Sequence, residues 1–94
     1  MEVKGLIWLQ NIVDKLEWKH HVRQDEVREI FADRPQFRLV EKGRRRGENV
    51  YTASGRTNAG RLLIVFFIYK QDRRALIISA REMTQTERRK YEKK

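Results

Sequence analysis

The chain has 94 residues, with 22 Lys and Arg against 13 Asp and Glu for a net charge of +9, and 39% hydrophobic residues. That length fits one domain, residues 1–94, with a small core, because short chains bury only roughly 60–65% of their unfolded surface. Having no cysteine, it can form no disulfide, thiolate metal site or cysteine nucleophile. Its longest apolar run, Leu62–Tyr69, is far short of the roughly 20 residues of a membrane span. The N-terminus carries no extended apolar signal region, so a cytoplasmic location is expected.

In chain order, Leu6-Ile7-Trp8 reads as a short edge strand. Asn11 is placed to cap a helix running to Lys19 or His20, with Ile12, Val13 and Leu16 at helical spacing. Gln24–Ala32 reads as a second helix, with Val27, Ile30 and Phe31 on one face. Asp33-Arg34-Pro35 ends it, since the residue before a proline disfavours the helical region. Phe37, Leu39 and Val40 suggest a strand, followed by the basic loop Lys42–Gly47. Val50–Ser54 is the next strand, and Asn58-Ala59-Gly60 turns the chain into Leu62–Tyr69. That last run is apolar on both faces and therefore belongs at the centre of the sheet. Lys70–Arg74 is a polar turn into the shorter strand Ala75–Ser79. Thr84 and Glu87 form a capping box that opens a basic C-terminal helix. The result is an α+β fold: two N-terminal helices packed on a twisted antiparallel sheet, then a short C-terminal helix. The remaining Asp and Glu side chains fall mostly in the helices and read as solvated faces. Trp8 and Trp18 read as packing residues.

Charge is divided unevenly. Residues 1–33 carry five basic and seven acidic side chains, whereas residues 34–94 carry seventeen and six. A one-sided positive field attracts a polyanion, which points to nucleic acid. Within that half, Arg61 precedes one strand and Arg81 follows the next, so antiparallel pairing places them at neighbouring sheet edges. Two guanidiniums held there could grip one phosphate.

Trp8, Lys19-His20, Val22, Glu26-Val27, Glu29 and Phe31 resemble the first half of the BrnT family of ribonuclease toxins. Its second half resembles Glu48-Asn49-Val50-Tyr51, Gly55-Arg56-Thr57, Gly60-Arg61-Leu62, Ile78-Ser79-Ala80-Arg81, Met83-Thr84, Glu87-Arg88-Arg89 and Tyr91. The chain departs from the family pattern at Leu9, Leu16 and His21, where the family has an acidic residue, an asparagine and a glycine. The resemblance implies a RelE-like fold and RNA cleavage that arrests growth. It also implies a cognate antitoxin, a hetero-oligomer with it, and operator DNA binding by the complex.

RNA cleavage without a metal needs a base for the 2′-hydroxyl, an acid for the leaving oxygen and cations for the charged phosphorane. His20 and His21 have ordinary pKa values nearest neutrality, and a helix end favours their charged form. His20, which matches the family, either does acid–base work or caps the helix. Arg61 and Arg81 either contact the phosphate or form internal ion pairs with Glu48 or Glu82. Tyr51 stacks on a base, shares a proton, or faces the core. Lys19, Arg56, Arg88, Arg89 and Lys90 are the expected RNA contacts, the α-helical trio serving equally as antitoxin contacts. Arg44-Arg45-Arg46 reads as a solvated loop tip or an RNA guide. No Gly-rich phosphate cradle and no metal-spaced His, Asp and Glu cluster is present in the sequence, so neither cofactor nor metal is expected. The rival to a ribonuclease toxin is a non-catalytic nucleic-acid-binding or protein-interaction module.

Overall fold

A computed structural model describes residues 1–93. Their element order is β1 (Gly5–Ile7), α1 (Gln10–His20), α2 (Gln24–Ala32), β2 (Gln36–Glu41), β3 (Val50–Arg56), β4 (Leu62–Tyr69), β5 (Arg74–Glu82) and α3 (Gln85–Glu92). The five strands form one sheet in the order β1-β5-β4-β3-β2, with β4 in the middle as its apolar run requires. Strands β2 to β5 pair antiparallel, but β1 runs parallel to β5, so the sheet is mixed rather than wholly antiparallel. The intervening chain crosses the sheet between β1 and its partner, which fixes that direction.

The alternation of β4 sorts the sheet into two faces. Leu63, Val65 and Phe67 point one way, with Ala53 of β3 and Ala80 and Ile77 of β5 paired beside Val65 and Phe67. Leu16 of α1, Val22 of the connection, and Val27 and Ile30 of α2 bury against this face. Gly55 lets α2 approach closely, since a Cβ there would sit 3.3 Å from Ile30 Cγ2. The other face carries Ile64, Phe66 and Ile68, flanked by Thr52, Ser54 and Arg81, and is shared only with α3.

Several elements differ from the sequence expectation: β1 ends at Ile7 rather than Trp8, and β3 reaches Arg56 rather than Ser54. Helix α1 starts earlier: Leu9 is its N-cap, in an extended conformation, and its carbonyl accepts from Ile12 and Val13, so Asn11 lies inside the first turn. Strand β5 runs on to Glu82, because the long β4 offers Ile64 and Leu63 as partners for Arg81 and Glu82. Arg81 is therefore within the strand, not after it. In β2 the register shifts between Leu39 and Glu41, leaving Val40 as a bulge. Trp8 packs against the core with Arg28 above its ring, whereas Trp18 is 71% exposed and packs on nothing buried.

Candidate active site

Arg61 sits in the tight turn between β3 and β4. The turn is closed by Thr57, whose backbone N–H donates to the Arg61 carbonyl and whose buried hydroxyl accepts the Arg61 N–H. Gly60 takes φ of +97°, a conformation that favours glycine. Glu29 of α2 accepts the Asn58 N–H at 2.9 Å and ties the turn to the helix layer.

The Arg61 guanidinium is held from both sides. Its Nη1 donates to both Glu26 carboxylate oxygens at 2.9 and 2.8 Å and to the His21 carbonyl at 2.8 Å, and its Nη2 donates to Glu82 at 3.0 Å. The Glu26 side chain is only 4% exposed and also accepts the Arg23 N–H. Burial pushes the Glu26 carboxyl up, but the bonds from the Arg23 backbone and Arg61 outweigh burial and hold it below its ordinary value. Burial likewise works against the Arg61 charge, and the bonds to Glu26 and Glu82 overcome it. The pair thus keeps both charges in a largely desolvated place, and Glu26 aims the guanidinium.

Arg81 lies at the same end of the sheet but on the opposite face. It grips Glu87 of α3 through two bonds of 2.7 and 3.0 Å, donates to the Glu82 carbonyl, and lies 5.5 Å from the Phe66 ring centroid. Glu87 also closes the α3 capping box, accepting from the Thr84 N–H while its own N–H donates to the Thr84 hydroxyl. The Arg81 bond, reinforced by Thr84, overcomes burial and holds the Glu87 carboxyl down at about 2. The two arginines share a sheet end, as expected, but no common carboxylate: Arg61 is engaged by Glu26 and Glu82, and Arg81 by Glu87.

A cleft of about 380 Å³ opens at this end, lined by Arg56, Arg61, Arg88 and Glu82 among others. Glu82 is 53% exposed and stands between Arg61 at 3.0 Å and Arg88 at 3.7 Å. Arg56 pairs instead with Glu92 at 3.9 Å, so two guanidiniums flank the wet Glu82 carboxylate and a third stands in the same cleft, a site where a phosphate could take the carboxylate's place.

His20 ends α1, and the next residue delivers its carbonyl to Arg61. His21 itself takes φ of +55°, the left-handed conformation that terminates the helix, and Val22 N–H closes the turn onto Leu16. Partial burial lowers the His20 pKa first, and the charges of Lys19, Lys15, Arg81 and His21 add to it. Burial, with the surrounding cations, thus opposes the imidazolium that the helix end was expected to favour.

Tyr51 is not brought to this end. It stacks on Phe67 and meets Tyr69 edge-on, on the helix-covered face, about 13 Å along β3 from Gly55 at the usual strand rise. Lys19 is exposed on the last turn of α1, and Arg89 and Lys90 are exposed on α3, with Lys90 facing the open side of the sheet. Sequence reasoning named Glu82 as an alternative ion-pair partner but missed Glu26 and Glu87, which orient the arginines. One signal was present for Glu26: it stands four residues before Ile30, on the apolar stripe of α2 rather than opposite it. Among the described residues, no three His, Asp or Glu side chains cluster as a metal-holding group.

With this geometry in view, the sequence was compared with known proteins. The family described as the ribonuclease toxin, BrnT, of type II toxin–antitoxin systems matches residues 10–87. The chain belongs to the BrnT family. No curated relative matches it. The match spans both helices of the helix layer, β2 to β5 and the first turn of α3, and so contains His20, Glu26, Arg61, Arg81 and Glu87. As a BrnT toxin the chain is a ribonuclease of a type II toxin–antitoxin system, with RNA as substrate and an antitoxin as the partner that neutralises it.

Proposed function

We propose that this BrnT chain is a single-domain, RelE-like endoribonuclease that cleaves RNA in the cytoplasm without a metal ion. The observation that carries this reading is the preorganised Arg61, aimed by buried Glu26 into a cleft where Arg56, Arg88 and an exposed carboxylate already meet. In the proposed reaction the 2′-hydroxyl attacks the neighbouring phosphorus and the P–O5′ bond breaks, giving a 2′,3′-cyclic phosphate and a free 5′-hydroxyl. Neutral His20 accepts the 2′-hydroxyl proton, and the leaving O5′ takes its proton from water in the open cleft. Arg61 displaces its Glu82 contact in favour of the phosphate, and Arg81 faces the adjoining backbone from the other side of β5. Fixed cations of this kind act most strongly on charge that develops in the transition state. Lys19, Arg56, Arg88, Arg89 and Lys90 hold the flanking phosphates. Tyr51 is left out of this set because its ring belongs to the core face. In the bound state the toxin forms a hetero-oligomer with its antitoxin, and that complex binds operator DNA.

The test is cleavage of single-stranded RNA by the purified chain. Arg61→Lys keeps a charge for Glu26 but loses the fork, so it should lower the rate about 10²–10³-fold. Arg81→Ala should do the same, while Arg45→Ala in the loop should change little. A chelator should leave the parental rate unchanged. Parental rates in both site variants, or loss of activity in chelator, would overturn the proposal.

A further inference from the structure

Strand β4 breaks the rule for a sheet with one wet face. Such strands alternate apolar and polar residues, whereas Leu62–Tyr69 is apolar throughout, the pattern of a strand covered on both sides. Helices α1 and α2 cover only one side. On the other, Ile64, Phe66 and Ile68 stay half-buried, with Leu76 paired beside Ile68. Between α3 and β2 this face forms a groove of about 710 Å³. Its floor is Thr52, Ile64 and Phe66, and its rim carries Arg38, Lys90 and the Arg81–Glu87 ion pair.

We infer that this groove is the seat of the antitoxin, which lays an amphipathic helix along it, apolar toward Ile64 and Phe66 and acidic toward Arg38, Arg81 and Lys90. The chemistry of the groove selects that occupant. A second copy of this chain would bring another net charge of +9 against a cationic rim. The lining holds the rings of Phe37, Phe66 and Tyr91, but also Leu39, Val40, Ile64 and Met83, apolar surface that suits the stripe of a helix better than a polyanion. An added strand is disfavoured at β2, where the bulge at Val40 breaks the ladder. A helix needs no ladder and buries an apolar stripe in a groove of this kind. The seat includes Arg81, so a docked antitoxin also covers one of the residues proposed for catalysis.

The inference rests on the toxin reading above, and the experiment separates the two. The cognate antitoxin is titrated calorimetrically into the full chain and into Arg38→Glu, Ile64→Thr and the loop control Arg44→Glu. RNA cleavage and thermal melting of each free chain are measured in parallel. Arg38 is exposed and Ile64→Thr keeps a β-branched residue in the strand, so both variants should melt near the parental temperature. Each should bind antitoxin about tenfold more weakly, with Arg44→Glu unchanged, and each should cleave RNA at the parental rate. Parental antitoxin affinity in both variants overturns the inference. An equal fall of RNA cleavage and antitoxin affinity also overturns it, because the groove would then belong to RNA. So does self-association of the free chain that Arg38→Glu abolishes. If the parent cleaves no RNA but the affinity losses appear, the docking surface stands and the ribonuclease mechanism falls.

Discussion

At the scale of single residues, carboxylates decide how this site works. Removing Arg61 leaves the Glu26 carboxylate buried without its cation. Breaking a buried pair costs about 3–5 kcal/mol, so with Arg61 a quarter exposed Arg61→Ala should cost about 2–4 kcal/mol, read by chemical denaturation. Adding Glu26→Gln should return part of it, which would separate lost stability from lost chemistry. Glu87 makes a pH prediction with a definite sign. Its folded value of about 2 lies below the ordinary 4.5, so its stabilisation is present above about pH 4.5 and is lost as the pH falls toward 2. Both partners are about one-third exposed, which reduces the effect to about 1–2 kcal/mol. Glu87→Gln should lose that amount at pH 7 and match the parent near pH 2. His20 is shifted the same way, downward, so as a base it is competent at neutral pH. The cleavage rate should rise with pH through a midpoint below 6.5 and then level off, and His20→Ala should remove that limb while costing about 10²–10⁴ in rate. A rate that climbs instead above pH 7 would assign the base elsewhere. The arginines were legible in the sequence because residue type and strand-end position are local facts. Glu82 was legible as an alternative partner, but Glu26 was not, because Arg61 and Glu26 meet across 35 positions and a helical glutamate reads first as solvent-facing.

At the scale of elements, the helices and the central strand followed from spacing and apolar runs. What escaped was the direction of β1, which depends on where the chain re-enters the sheet, and the reach of β5, which its partner β4 sets. The turn after α1 carries its own test. His21 holds φ of +55°, a conformation that favours glycine, and a residue with a Cβ pays for it roughly 1–2 kcal/mol. Glycine also loses more freedom on folding. His21→Gly should therefore stabilise the chain by about 0.5–1 kcal/mol in thermal or denaturant unfolding. The Arg61 bond should survive, because it uses the His21 carbonyl and not its side chain. A destabilised His21→Gly would mean that the imidazole ring itself supports the helix end.

At the scale of the whole molecule, charge is sorted by function. Several arginines are matched near at hand, as Arg23 is by Asp25, Arg73 by Glu2 and Arg74 by Asp72. At the proposed active end the match is with carboxylates that also shape the site, and Lys19, Arg89 and Lys90 are exposed. An RNA strand there displaces counterions in proportion to the phosphates it brings. For single strands the logarithm of the binding constant falls with the logarithm of salt at about −0.7 per phosphate neutralised. With about five or six contacts from Lys19, Arg56, Arg61, Arg88, Arg89 and Lys90, the slope should be roughly −4. Arg88→Ala with Arg89→Ala should make it shallower by about 1.4, two contacts' worth. Neutralising Arg44, Arg45 and Arg46 together removes a larger charge from a remote loop. If only total charge mattered, that triple change would flatten the slope most; if RNA lies at the sheet end, it should leave the slope nearly intact. Fluorescence anisotropy across a salt series, using RNA with the attacking 2′-hydroxyl blocked, decides between the two.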